Sequence, residues 1–210
     1  LDNKILAQSS DVIFIATKPN QVMDVLAEIN DYIISDKLIV SIAAGVRTEK
    51  LEANLPHSTR VVRVMPNTPS LISYGATAIT KSGNVLEETF KKAKNIFSSI
   101  GIVEEIDESL MNEIIPVNGS MPAFLYYFVE AYIDDATSYG IPYETAKRLA
   151  CEAIIGSAKM ILETGKPIDE LINDVCSTGD ETIKELRVLK ENNFQEIIKE
   201  SNKACIKRAY

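Results

Sequence analysis

The 210-residue sequence is poor in the side chains that most often build metal centres and nucleophilic sites. It has one histidine, His57, which excludes a Ser-His-Asp triad in its usual form and a histidine-rich metal site. His57 lies in a predicted loop after a proline, so we expect it at the surface. The three cysteines are Cys151, Cys176 and Cys205, and none belongs to a CxxC pair. Neither a disulfide framework nor a zinc site is therefore indicated, and we predict no bound metal.

Positive charge and long apolar runs are also scarce. The chain has 22 lysines and arginines against 30 aspartates and glutamates, which gives a net charge of −8 and a pI near 4.8. A nucleic acid or an anionic membrane would repel such a chain, so we predict neither as a partner. No apolar run reaches the length of a membrane span, and no signal peptide precedes the first predicted strand. These features predict a cytoplasmic protein that binds a small molecule or associates with itself.

The first half of the chain alternates between strand and helix patterns. Continuous apolar runs are typical of parallel strands that are covered on both faces. The predicted strands are 12–16, 37–43, 61–65, 75–80 and 102–106. Helices are predicted between them, one of them with Thr48 as its N-cap. This alternation predicts an α/β fold with a doubly wound, Rossmann-like sheet, which we place at residues 1–108.

The predicted strand 61–65 ends in a loop that draws attention to one side chain. Pro66 has no amide hydrogen for a sheet ladder, so the strand must end there. Asn67 follows directly. In an open α/β sheet, ligands bind beyond the carboxyl ends of the parallel strands. The position predicts a ligand-binding role for Asn67, and an ordinary proline-terminated turn is the alternative.

Residues 109–210 show helix patterns only. Residues 122–139 are apolar on nearly every face, and a helix of this kind must be buried on most sides. A domain of this size has little interior in which to bury it. We therefore predict an all-helical dimerisation domain and an obligate homodimer. Further helices are predicted at 144–163, 168–176, 178–191 and 194–208.

Six motifs, in order along the chain, resemble the pyrroline-5-carboxylate reductase family. The most specific is Arg63-Val64-Met65-Pro66-Asn67-Thr68-Pro69, and the others lie at 16–19, 41–45, 118–124, 156–160 and 177–182. The resemblance covers essentially the whole chain. It implies an enzyme of L-proline biosynthesis that transfers a hydride from NADPH or NADH to a cyclic imine. It also implies a homodimer or a higher ring of dimers.

The resemblance implies a set of site residues as well. On the cofactor side these are Ala16, Thr17, Lys18, Pro19, Ala43, Ala44 and Asn67, which would position the nicotinamide and its ribose. On the substrate side they are Asn118, Ser120, Gly179 and Thr182, at two helix starts whose backbone N–H groups suit a carboxylate. The Thr182 hydroxyl is the expected catalytic proton donor or relay to the imine nitrogen. Judged by residue type alone, Asn118 or Ser120 could instead simply cap the helix that follows.

Both helix starts depart from the family pattern. In the first helix start, Asn118 replaces a serine and Met121 replaces a glycine. In the second, Thr178 replaces a proline, Asp180 replaces a glycine, and Glu181 replaces a small or hydroxyl residue. Thr178 and Glu181 would form a capping box, which uses the donors that a carboxylate needs. Two acids would also reduce the positive potential of the helix terminus. A paralogue that reduces a different imine is therefore an alternative function.

The chain contains no GxGxxG fingerprint. The resemblance implies a strand, this fingerprint and a helix upstream of Leu1. Without them the strand 12–16, which has an interior pattern, would lie at the edge of an incomplete sheet. We expect these residues alone to bind NAD(P)H weakly or not at all, because the phosphate-binding helix start is missing. A catalytically idle relative with an oligomeric or regulatory role is the second alternative.

Overall fold

The computed structural model describes residues 2–34, 36–176 and 181–209. The chain divides into two compact units, Leu1–Pro122 with Ala204–Tyr210 and Ala123–Lys203. The first unit holds a sheet with its helices, and the second is helical. The predicted fold class, a Rossmann-like α/β region followed by a helical region, is confirmed. The limits 1–108 and 109–210 for the two domains stay a prediction.

The first unit alternates between strands and short helices in the predicted order. Its strands are β1 (Val12–Ile15), β2 (Leu38–Ser41), β3 (Arg60–Met65), β4 (Gly75–Lys81) and β5 (Gly101–Glu105). Its helices are α1 (Asn3–Ser9), α2 (Val22–Ile29), α3 (Thr48–Glu52) and α4 (Glu87–Ser98). Short 3-10 helices lie at Pro19–Gln21, Asn30–Tyr32, Thr68–Ile72 and Glu108–Leu110.

The start of α3 corrects one prediction. Thr48 is the first residue of the helix, and Arg47 occupies the N-cap position without a capping hydrogen bond from its side chain. The backbone N–H of Thr48 donates instead to Oε1 of Glu108 at 3.2 Å. Thr48 is therefore not the N-cap, because a carboxylate from a distant part of the chain satisfies this helix start.

The five strands form one sheet in chain order, from β1 to β5. β1, β2 and β3 are parallel, β4 runs antiparallel to β3, and β5 is parallel to β4. The reversal at β4 follows from its connection, because residues 66–74 hold only a short 3-10 helix and cannot form a crossover. β1 is an edge of the described sheet, as the sequence predicted.

Each face of the sheet packs its own core. Ile39 and Val61 face α2 and α3, while Val40 and Val62 face α4. Successive residues of a strand point to opposite faces, so these continuous apolar runs serve both cores. A third cluster surrounds Met65 and includes residues from the last turns of the C-terminal helix.

The remaining helices are α5 (Met121–Ser138), α6 (Tyr143–Glu163), α7 (Ile168–Val175), α8 (Glu181–Glu191) and α9 (Phe194–Ala209). Gly140, with φ +88°, follows α5 closely and takes the left-handed backbone that ends a helix most easily. Ile133 of α5 is buried, but Tyr126 and Tyr127 are 63% and 77% exposed. The apolar surface of α5 is thus largely uncovered in a single chain. Across the described ranges, none of the helices has the length and apolar character that crossing a membrane would require.

Candidate active site

Three loops of the first unit leave the carboxyl ends of adjacent strands. Residues 16–19 follow β1, residues 43–45 follow β2, and residues 66–67 follow β3. Because these strands are parallel neighbours, their loops lie along one edge of the sheet. All the residues predicted for the cofactor side lie on these loops: Ala16, Thr17, Lys18, Pro19, Ala43, Ala44 and Asn67.

Asn67 connects the end of β3 to two neighbouring segments. Its Oδ1 accepts a hydrogen bond from the N–H of Ala76 in β4, at 3.0 Å. Its Nδ2 donates to the backbone oxygen of Asn118 at 3.2 Å. A side-chain amide has two N–H groups, so one is left after these contacts. Asn67 can therefore fix the loop and still donate a hydrogen bond to a ligand.

Asn118 lies against the same loop, with its side chain directed at the strands. Its Nδ2 donates to the carbonyl oxygen of Met65 at 2.6 Å and to that of Ala76 at 3.4 Å. Its Oδ1 is buried and has no hydrogen-bond partner among the residues that the structure describes. The alternative in which Asn118 caps α5 is therefore wrong. The side chain instead holds the turn before α5 to the ends of β3 and β4, which brings Asn118 and Asn67 together.

Ser120 occupies the same turn and is partly buried. Its hydroxyl lies 3.4 Å from Sγ of Cys205. The backbone N–H groups of Asn118 and Ser120 donate to the carbonyl oxygens of Ile114 and Ile115, at 3.1 and 2.8 Å. These two donors are thus already used within the protein. A carboxylate at this helix start would meet the Ser120 hydroxyl rather than these two N–H groups.

The chemistry of the three edge loops suits a nicotinamide nucleotide. They contain no acidic residue, and their single charged side chain is the exposed Lys18. Oγ1 of Thr17 is buried, and the described part of the chain offers it no hydrogen-bond partner. Small side chains leave room for a ring and a ribose, and no carboxylate opposes the phosphates. The residues present therefore fit the nicotinamide side of NADP or NAD.

Sequence reasoning missed one polar group next to this edge. Arg63 of β3 is fully buried, and its guanidinium contacts Glu108 and Asn112. The available signal was a single charge within the apolar strand, which requires a polar partner in the interior. Spacing alone could not identify the partners, because they lie 45 and 49 residues further along the chain.

Thr182 belongs to the second unit, in the first turn of α8, and is partly buried. It lines a cavity of about 340 Å³ formed by residues of α6, α7 and α8. The cavity walls are largely apolar and include Met160, Leu171, Ile172 and Leu186. Gly179 lies outside the described residues, as do Thr178 and Asp180. The predicted capping box consequently stays a prediction.

Known proteins resemble this chain over nearly its whole length. Residues 108–210 match the family model for pyrroline-5-carboxylate reductase dimerisation, and residues 1–45 match the model for NADP oxidoreductase, coenzyme F420-dependent. A pyrroline-5-carboxylate reductase from Escherichia coli K12 is 40% identical over 204 residues, which are 97% of this chain and 76% of the relative. The chain belongs to the pyrroline-5-carboxylate reductase family.

Other family members support the same assignment. A pyrroline-5-carboxylate reductase from Methanosarcina acetivorans is 39% identical over 190 residues, which are 90% of this chain and 70% of the relative. The crystal structure of Plasmodium falciparum pyrroline carboxylate reductase with NADP bound matches with a TM-score of 0.95 at 32% identity. The match covers 100% of this chain and 79% of the Plasmodium falciparum chain. The resemblance predicted from the six motifs is therefore confirmed, and the described fold is that of the family.

Proposed function

We propose that this protein is a pyrroline-5-carboxylate reductase, which uses NADPH or NADH to reduce the cyclic imine to L-proline. The observation that carries the proposal is the junction of Asn67 and Asn118 beyond the carboxyl ends of parallel strands. This junction occurs in a chain that is 40% identical to the Escherichia coli reductase. Family membership supports the reaction type, and the loop chemistry supports the cofactor.

The edge loops hold the nicotinamide side of the cofactor in this proposal. When bound, NADPH or NADH would supply the hydride. The holding residues are Ala16, Thr17, Lys18, Pro19, Ala43, Ala44 and Asn67. Thr17 and Asn67 offer the polar contacts, since within the described ranges the Thr17 hydroxyl has no hydrogen-bond partner and one N–H of the Asn67 amide is not used.

The substrate is held by Ser120 and Gly179, and Asn118 fixes the turn that presents Ser120. The Thr182 hydroxyl donates or relays a proton to the imine nitrogen as the hydride reaches the neighbouring carbon. Its place on the wall of a largely apolar cavity supports this role, because the cavity offers space for a ring next to the hydroxyl.

The working form in this proposal is a cytoplasmic homodimer, or a ring of dimers, built through residues 109–210. The match to a dimerisation model over 108–210 supports this assembly. So does α5, whose aromatic side chains are largely exposed in a single chain.

The test follows the loss of NADPH absorbance in the presence of pyrroline-5-carboxylate. It uses the 210-residue chain and a fusion that adds the strand, GxGxxG and helix implied by the family. The variants are Thr182→Ala and the matched control Thr182→Ser, which keeps the hydroxyl. We expect Thr182→Ala to lower kcat by about a hundredfold, the lower range for general acid catalysis, while Thr182→Ser stays near the parent. A fusion that binds NADPH but never consumes it with this substrate would contradict the proposal.

A second candidate is the reduction of an imine that lacks a carboxylate at this position. Asp180 and Glu181 favour it, because two acids beside a helix start oppose a bound carboxylate. Assaying the same fusion with pyrroline-5-carboxylate and with unsubstituted pyrroline distinguishes the two. A higher kcat/KM for unsubstituted pyrroline would favour this candidate.

A further inference from the structure

Arg63 is a buried charge in the middle of an apolar strand. It lies in β3, its side chain has no exposure to solvent, and Val62 and Val64 beside it are also fully buried. Removing a charge from water is costly unless polar partners replace the lost hydration. The partners of Arg63 therefore show what the charge is used for.

Each arm of the guanidinium contacts a different residue. Nη1 donates to Oε1 of Glu108 at 2.8 Å, and Nη2 donates to Oδ1 of Asn112 at 2.7 Å. The same oxygen of Glu108 accepts the backbone N–H of Thr48 at 3.2 Å. Arg63 thus joins β3 directly to the segment that precedes α5, and Glu108 extends this connection to the start of α3.

The three segments joined in this way are β3, the start of α3 and the segment before α5. Each of them is adjacent in sequence to a loop of the candidate site. The 43–45 loop leads into α3, which begins at Thr48. β3 itself leads into Asn67, and the segment with Asn112 leads into the Asn118 turn. We propose that Arg63 is a positioning residue that fixes these three loops relative to one another for hydride transfer. The catalytic part of this inference depends on the proposed function.

Two physical arguments favour positioning over a contribution to stability. A buried ion pair as a whole contributes little to net stability compared with apolar residues of similar volume, although removal of Arg63 alone leaves Glu108 and Asn112 without their donor and lowers stability. A planar guanidinium, however, sets the direction of two partners at once, which a lysine ammonium cannot do. Replacement by a long apolar side chain should accordingly lower the protection of the amides in the attached segments more than that of the amides in the rest of the sheet.

Arg63→Met tests this inference, and Arg60→Met is the matched control. Arg60 lies in the same strand but is partly exposed, with only a 3.8 Å ion pair to Asp36. Hydrogen exchange is measured on the 210-residue chain. In Arg63→Met we expect the Thr48 amide and the 108–118 segment to exchange about ten- to a hundredfold faster, the factor for losing a hydrogen bond to a charged group. The amides of β2 and β4 should lose no more protection than the measured change in the free energy of unfolding explains, and the control should match the parent.

Unchanged exchange in both segments, or a loss of protection in β2 and β4 as large as the loss in these segments, would overturn the inference. If Arg63→Met does not fold, Glu108→Ala gives the same test, because Glu108 is partly exposed and its removal frees the same segments. Again the expected pattern is local, and no change at the Thr48 amide would overturn the inference.

The reductase assay supplies a second measurement. In the fusion with the GxGxxG segment, Arg63→Met should lower kcat by about a hundredfold at a temperature at which the variant is fully folded, which is the effect of misplacing reacting groups by about 1 Å. Normal kcat despite faster loop exchange would refute the catalytic part. An unmodified fusion without reductase activity would instead contradict the proposed function, and the exchange pattern would still decide whether Arg63 fixes the loops.

Discussion

The contact between Asn118 and the end of β3 gives the most direct test of how the edge is built. Asn118→Ala removes a 2.6 Å hydrogen bond and leaves the buried carbonyl of Met65 without this donor. An unsatisfied buried acceptor costs about 1–3 kcal/mol. The hydrogen bond to the carbonyl oxygen of Ala76, at 3.4 Å, adds little to this loss of stability. The substitution also removes the buried Oδ1, for which the described residues provide no partner, and this partly offsets the loss. We therefore expect a net loss of about 1–2 kcal/mol in the free energy of unfolding.

Urea unfolding followed by circular dichroism measures this change. A loss of that size should also lower the thermal midpoint by about 2–4 °C per kcal/mol for a protein of this length. Asn54→Ala is the control, because its Nδ2 donates to the carbonyl oxygen of Lys50 at 2.9 Å in an exposed position. Exposed sites of this kind usually change stability by no more than about 0.5 kcal/mol. If the two variants lose the same small amount, the buried amide does not hold the turn and the reasoning is refuted.

Three further predictions concern assembly, substrate and pH. Phe128 lies in the largely exposed aromatic surface of α5. In analytical ultracentrifugation we expect the parent to sediment as a dimer and Phe128→Asp to sediment as a monomer or an aggregate. A parent that sediments as a monomer would contradict this prediction. Asp180→Gly combined with Glu181→Thr should lower the KM for pyrroline-5-carboxylate by about tenfold, the effect of one charge-assisted hydrogen bond, in steady-state assays of the fusion. The hydroxyl of Ser109 and, to a smaller extent, its backbone N–H donate hydrogen bonds to Asp107 and lower the pKa of this carboxyl below its usual 3.8. Ionised Asp107 therefore stabilises the folded state above pH 3.8, and this stabilisation is lost as the pH falls through the lower pKa of the folded state. Asp107→Asn should remove this part of the acid dependence, as seen in unfolding midpoints measured against pH.

Local patterns were sufficient to predict most of the elements. The apolar runs predicted all five strands, and Pro66 predicted the end of β3. The direction of β4 was not predictable from periodicity, since an alternating or continuous pattern is the same in either direction. The N-cap at Thr48 was wrong for a related reason. The group that satisfies this helix start is Glu108, 60 residues away in sequence, and such a partner has no local signal.

The two sides of the proposed site also differ in how closely they follow the family. The cofactor loops belong to the sheet unit, where Asn67 is tied by hydrogen bonds to β4 and to the Asn118 turn. A substitution in these loops would disturb several strands at once. Thr182 belongs to the helical unit, beside Asp180 and Glu181, where the sequence departs from the family pattern. Asn118 and Ser120 belong to the sheet unit together with the proposed cofactor loops, and only the second helix start belongs to the helical unit. Substitutions at residues 180 and 181 therefore alter only the helical unit's part of the proposed substrate site. A comparison of the parent and the Asp180, Glu181 double variant should therefore show altered KM for the imine but an unaltered KM for NADPH.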